Sequence, residues 1–209
     1  MDFVDAVTKD VQDAWGQLLG SRYQRTRVVL FRDAIDSACG FAQSATGPFY
    51  CPDDRKVYLD LGFFSELSRR SGAPGDFAQA YVIAHELGHH VQNLLRLNSR
   101  AAADRRSGAG SASVALELQA DCFAGIWGHE ASKSGRFEAG GVELEPGDAD
   151  EALRAAAAIG DDRLQKMATG RVMPDRFTHG TSAQRTEWFR RGMESGDPHA
   201  CVTSASTSF

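Results

Sequence analysis

No stretch of this sequence approaches the roughly 18 consecutive apolar residues that argue for a membrane-spanning helix. The opening MDFVDAVTKDVQDAW carries a charge every few positions and lacks the apolar core of a signal peptide, so a soluble chain is expected. Basic residues are not in excess. With 23 Lys and Arg against 28 Asp and Glu, the net charge is −5, which excludes the broad basic face that nucleic-acid affinity requires. Internal repeats and dividing linkers are lacking, so one domain over 1–209 is expected, with a frayed tail from about 203. None of the four cysteines, Cys39, Cys51, Cys122 and Cys201, lies in a C-x-x-C pair, which disfavours an all-cysteine zinc knuckle or a thioredoxin-like redox motif. Their even number leaves two readings open, two disulfides or four buried thiols.

What is there is an ordinary globular composition. At 42% hydrophobic and 24% charged residues, collagen-like, fibrous and wholly disordered chains are excluded. A chain of 209 residues buries about 70% of its unfolded surface, enough for a core and a recessed site.

Along the chain, Val4, Val7, Val11, Trp15 and Leu18 recur at spacings of three or four, with Asp and Lys on the other side. This predicts a first helix over 3–19. RVVLFRDA reads as a strand, and KVYLDLGFF opens with strand character. Residues 37–52, rich in Gly, Ser and Cys, read as a loop, although the Pro52-Asp53-Asp54 turn allows FYCPDDRKVYLD to form a hairpin. After Pro74-Gly75, Asp76 caps a long helix to about residue 97. A polar, small-residue loop follows over 99–113, then a second long helix from 112 to about 133. A Gly-rich connection covers 134–150. Asp148 or Asp150 then caps a helix containing ALRAAAAIG, and a last helix runs from 182 to about 193.

The chemical signal is His85-Glu86-Leu87-Gly88-His89. Residues four apart on a helix share a face, so His85 and His89 can present imidazole nitrogens to one ion. Zinc suits such ligands, and Glu86, beside the first histidine, has the place of a metallopeptidase general base. Gly88 costs about 1 kcal/mol against Ala inside a helix, which points to another element approaching closely there. A catalytic zinc takes three protein ligands and a water. The third is sought on another element, and Glu117 in ALELQADCFAGIW is the candidate. Asp121, one turn on, is placed to accept the remaining N–H of a zinc-bound histidine. The alternative, two solvent-facing carboxylates, fits poorly with Leu116, Leu118, Ala120, Phe123 and Ala124 around them.

H-E-L-G-H-H on one helix and E-L-Q-A-D on the next resemble the neutral zinc metallopeptidases of bacteria, a glutamate-zincin group. The resemblance extends through CGFAQSATGPFYCPDD, VYLDLGFF, GDFAQAYVIAHELGHHVQ, ELQADCFAGIW and HGTSAQRTEWF, about residues 25 to 201. It implies an α+β zincin-like fold, mostly helical, with a small sheet over the active-site helix. It implies one zinc per chain on His85, His89 and Glu117, with Glu86 as base and Asp121 supporting a histidine. The substrate implied is a peptide or protein aligned on an edge strand, for which KVYLD is the candidate. It also implies the pairs Cys39–Cys51 and Cys122–Cys201, and with them an extracytoplasmic location, secreted, periplasmic or at the cell surface. Related enzymes use a late histidine or tyrosine to stabilise the tetrahedral intermediate. His179 stands in that place, with a helix-entry hydrogen bond as the other reading. Members often carry a membrane anchor and Gly-rich spacer that this sequence lacks.

The remaining candidates read as structural. His90 lies about 140° round the helix from His85 and cannot share its ion. His129 falls at a helix end, where it meets the helix dipole favourably, and His199 lies in a plain tail segment. Arg185 can pair with a carboxylate near the site or form an exposed salt bridge. Two functions follow: a zinc-dependent endopeptidase, or a non-catalytic zinc module used in binding or assembly.

Overall fold

The computed structural model describes residues 3–43, 47–64, 76–98, 106, 108–133, 144–145 and 147–203. The expected loop at 99–113, the connection at 134–150 and the tail past 203 fall largely outside them. Among the described residues six α-helices dominate: α1 (Phe3–Leu19), α2 (Asp76–Leu94), α3 (Ala112–Ala131), α4 (Asp148–Ala158), α5 (Asp161–Thr169) and α6 (Ser182–Ser195). Five short strands accompany them: β1 (Arg27–Phe31), β2 (Ala34–Ser37), β3 (Gly40–Gln43), β4 (Phe49–Cys51) and β5 (Lys56–Asp60). The result is the α+β, zincin-like layout, with the β4 and β5 side of a small sheet packed on α2.

Helix α1 buries Val4, Val7, Val11 and Trp15 as the periodicity predicts. Asp10, read as part of its polar side, is buried instead, because it accepts the Trp127 indole N–H at 2.8 Å. That bond satisfies both groups and docks α1 on α3. Phe77 of α2 stacks on the same Trp127 ring, centroids 5.4 Å apart, so three helices share one aromatic centre.

Residues 37–52 are not a plain loop. β2 and β3 form an antiparallel hairpin with Ala34 opposite Gln43, and β4 pairs with β5 in the predicted hairpin, Phe49 opposite Tyr58. The Gly, Ser and Cys content hid strands that are set by pairing rather than propensity. A second correction concerns KVYLD. The sheet order is β1-β5-β4, so β5 is the central strand and not an edge. β1 pairs with it in parallel and β4 antiparallel. Val57, Tyr58, Leu59 and Asp60 are all buried, as a strand covered on both faces requires.

Two close approaches fix the helices around the site. A Cβ on Gly88 would lie 3.2 Å from the Ala120 carbonyl oxygen and 3.3 Å from Phe123 Cβ, so glycine lets α2 and α3 cross here. Helices α3 and α6 come closer still. A Cβ on Gly125 would overlap the Phe189 carbonyl, and one on Gly192 the Cys122 carbonyl. Residues 64 apart face each other along this contact, Asp121 with Arg185 and His129 with Met193, so the two helices run in the same direction. The start of α6 is set by a capping box between Thr181 and Gln184.

Cys39 is bonded to Cys51 and Cys122 to Cys201, with Cα separations of 5.8 and 5.7 Å. The first ties the β2–β3 turn to β4. The second ties α3 to the turn that follows α6.

Candidate metal centre

His85, Glu86 and His89 lie on the stretch of α2 that is buried on almost every side, between α3 and the sheet. His85 Nε2 is 3.2 Å from Glu117 Oε2, and His89 Nε2 is 3.5 Å from Glu117 Oε1. One donor atom from each of the three residues falls within 4.8 Å of the others. The structure therefore brings together the two histidines and the carboxylate that the spacing singled out, from two helices.

The other nitrogen of each ring is already engaged. His85 Nδ1 lies 2.8 Å from Asp121 Oδ1, and His89 Nδ1 lies 2.9 Å from Gln92 Oε1. Both acceptors favour a proton on Nδ1 and leave Nε2 for the shared side, the arrangement metal-binding histidines require. Gln92 in turn donates to the Leu116 carbonyl at 2.7 Å and to Gln119 Oε1 at 3.1 Å, which holds its amide in place. Gln119 donates to the Cys201 carbonyl at 2.8 Å, linking this network to the second disulfide. Asp121 is fully buried and also accepts from Tyr81 Oη at 2.5 Å and from Arg185 Nε and Nη2 at 2.9 Å each.

Sequence reading missed Gln92 and Tyr81. Both were within reach of helix geometry: Gln92 is three residues after His89 and Tyr81 four before His85, the spacings that share a face. Of the two readings of Arg185, the buried carboxylate pair is the one found.

Charges in the cluster shift one another. Burial disfavours the charged form of His85, but the Asp121 carboxylate, with help from Glu117, outweighs it and pushes the imidazole up to about 9. Burial likewise opposes ionised Glu117, yet His89 and His85 hold it well below its ordinary value. Asp121 is held low, against burial, by Arg185 and His85. Glu86 goes the other way. Burial raises its carboxyl, and the two histidines only partly offset this. A buried carboxyl raised in this manner holds a proton more readily than an exposed one.

The donor set fits zinc: two imidazole nitrogens and a carboxylate oxygen, with the opposite ring nitrogens held by acceptors. His90 faces away. Its Nε2–H donates to the Gln24 carbonyl at 2.6 Å, and its Nδ1 lies 3.1 Å from Tyr50 Oη, which also accepts from Asn93 at 2.9 Å. This cluster clamps β4 to α2, and burial holds His90 below its ordinary value. His129 Nδ1 donates to the Met193 carbonyl at 2.9 Å. His199 lies in the turn after α6, where its backbone N–H donates to Asp197.

His179 stands apart from the three-residue cluster, in the segment before α6. Its Nδ1 lies 2.8 Å from Thr178 Oγ1 and 3.3 Å from Asp161 Oδ1. Asp161 Oδ2 accepts three successive backbone N–H groups, from Thr178, His179 and Gly180, at 2.7, 2.6 and 3.0 Å. Neither Asp161 nor α5, which it opens, was expected. Gly180 packs on Val114 and Leu118, which places this segment against the first turns of α3.

Compared with known proteins, the chain matches over residues 1–204 the family described as "Putative neutral zinc metallopeptidase", and it belongs to that family. "Uncharacterized protein YpfJ" of Escherichia coli K12 is 49% identical over 208 residues, spanning 96% of this chain and 70% of the relative. "Uncharacterized protein Rv2575" of Mycobacterium tuberculosis H37Rv is 46% identical over 204 residues, 96% of this chain and 69% of the relative. No solved structure matches. Family membership implies zinc, for which His85, His89 and Glu117 form a fitting site. The two disulfides point to a non-cytoplasmic location, and no helix among the described residues is long and apolar enough to cross a membrane.

Proposed function

We propose that this chain is a zinc-dependent endopeptidase acting outside the cytoplasm, with His85, His89 and Glu117 holding the ion and Glu86 as general base. The observation that carries it is the convergence of two imidazole Nε2 atoms on one carboxylate beside a buried glutamate, in a chain of this family. Bound zinc supplies a Lewis acid that lowers the pKa of a water to about 7 and polarises a carbonyl.

The chain's own groups do the rest. The Glu86 carboxylate takes a proton from the attacking water and returns it to the leaving amine nitrogen. Its raised affinity for a proton suits both halves of that transfer. His179 is the candidate partner of the developing oxyanion: with its Nδ1–H directed at Asp161, the doubly protonated ring offers Nε2–H as the donor. With β5 in the centre of the sheet, an extended substrate is aligned instead by the outer strand β4, which Tyr50 fixes to α2.

The test is hydrolysis of quenched peptides and unfolded proteins with and without a chelator, for the wild type and Glu86→Gln. The expected result is chelator-sensitive cleavage that the substitution lowers by about 100-fold or more, with zinc still bound. Cleavage by Glu86→Gln at the wild-type rate contradicts the mechanism. Zinc binding without any cleavage by the wild type favours the non-catalytic zinc module instead.

A further inference from the structure

The Asp121 carboxylate is a junction. It is fully buried on α3, and four donors converge on it: His85 Nδ1 and Tyr81 Oη from α2, and Arg185 Nε and Nη2 from α6. Arg185 grips both oxygens, with Nε on Oδ2 and Nη2 on Oδ1, the two-pronged geometry that only a guanidinium offers. Its Nη2 also lies 3.2 Å from Tyr81 Oη and 3.4 Å from His85 Nδ1. Such a fork fixes the plane of the carboxylate, and the hydrogen bond to Nδ1 transmits that plane to the imidazole. Arg185 is itself buried, so its charge has no solvent to fall back on.

The fold invests in this contact. Asp121 and Arg185 lie one turn before Gly125 and Phe189, where α3 and α6 approach too closely for a side chain on either glycine of the crossing. The Cys122–Cys201 bond anchors the chain beyond α6 to the residue next to Asp121. A salt bridge serving only to hold helices together does not need a third helix's tyrosine and a histidine ring on the same oxygen.

We propose that Arg185, with Tyr81, is a positioning residue of the metal centre: it sets the Asp121 carboxylate that orients His85, so the zinc site depends on the C-terminal helix α6. This rests on the metal-site reading given under Proposed function.

The experiment compares wild type, Arg185→Gln, Arg185→Lys and Tyr81→Phe in three measurements. These are zinc affinity by chelator competition, the optical spectrum of the cobalt-substituted protein, and thermal unfolding of the metal-free protein. Arg185→Gln is expected to bind zinc about 10- to 100-fold more weakly, with an altered cobalt spectrum. Arg185→Lys, which keeps the charge and loses the fork, falls between it and the wild type. Tyr81→Phe, which removes one hydroxyl, sits at the low end of that range and decides the matter should Arg185→Gln fail to fold. A merely structural arginine lowers the unfolding temperature without moving zinc affinity or the cobalt spectrum. Variants that bind zinc and colour cobalt like the wild type overturn this inference alone. A wild type that binds no zinc overturns the metal-site reading together with it.

Discussion

Two histidines in this protein are each paired with an aspartate, and the pairs are built differently. The His85 side chain is 7% exposed and its partner Asp121 is fully enclosed, gripped by other side chains from two helices, α2 and α6. The His179 side chain is 49% exposed, and its partner Asp161 spends one oxygen on three consecutive backbone amides. The first aspartate fixes a ring. The second fixes a loop and only guides the ring it carries. On the proposed function His85 is a metal ligand and requires the former, since a misdirected lone pair loses the ion. His179, proposed to meet a changing oxyanion, tolerates the latter, because such a contact tightens only as charge develops.

Substitution should separate the pairs. Replacing Asp121 with Asn leaves Arg185 buried without its counter-charge, so about 3–5 kcal/mol of stability should be lost in a urea titration. Zinc affinity should fall about 10- to 100-fold in the same variant. His179→Gln should leave zinc binding and stability where they are. Its kcat should drop by about 100- to 1,000-fold on a quenched peptide. An equal loss of zinc affinity in both variants would erase the distinction.

Asp161→Asn should cost about 1–3 kcal/mol at pH 7, with zinc affinity unchanged. Burial works against the charge on Asp161, but hydrogen bonds from the His179 side chain and from the His179 and Thr178 amides hold its pKa below the ordinary 3.8. Its contribution is therefore complete above 3.8 and is lost as pH falls through the lower folded value. Urea unfolding of the two proteins should converge in strong acid; a gap that persists there would show that Asp161 acts through shape and not charge.

The same contrast explains what was legible in the sequence. His85, Glu86 and His89 sit one turn apart on a single helix, so local geometry alone aligns them, and Glu117 and Asp121 repeat that spacing on the next long apolar helix. The order of helix, a few strands, then helices was likewise readable from local pattern, and the resemblance to the family supplied the α+β zincin-like class. Pairings across long stretches of chain were not. β2 and β3 owe their form to each other and to the Cys39–Cys51 bond rather than to β-forming residues. β1 turns KVYLD from an edge into a centre by pairing from 29 positions earlier, Arg27 against Lys56. Helix α5 is short and polar, with Asp161 its only buried residue, so it shows no apolar stripe; Gly160 and Gly170 at its ends were the available signal. Nothing local to Asp161 announces amides 17 to 19 residues away.

Metal content of the purified chain, measured after exposure to zinc and exhaustive dialysis, tests the central claim most directly. The account predicts one zinc per chain in the wild type and none in Glu117→Gln. Equal zinc in both proteins, or none in either, would contradict it.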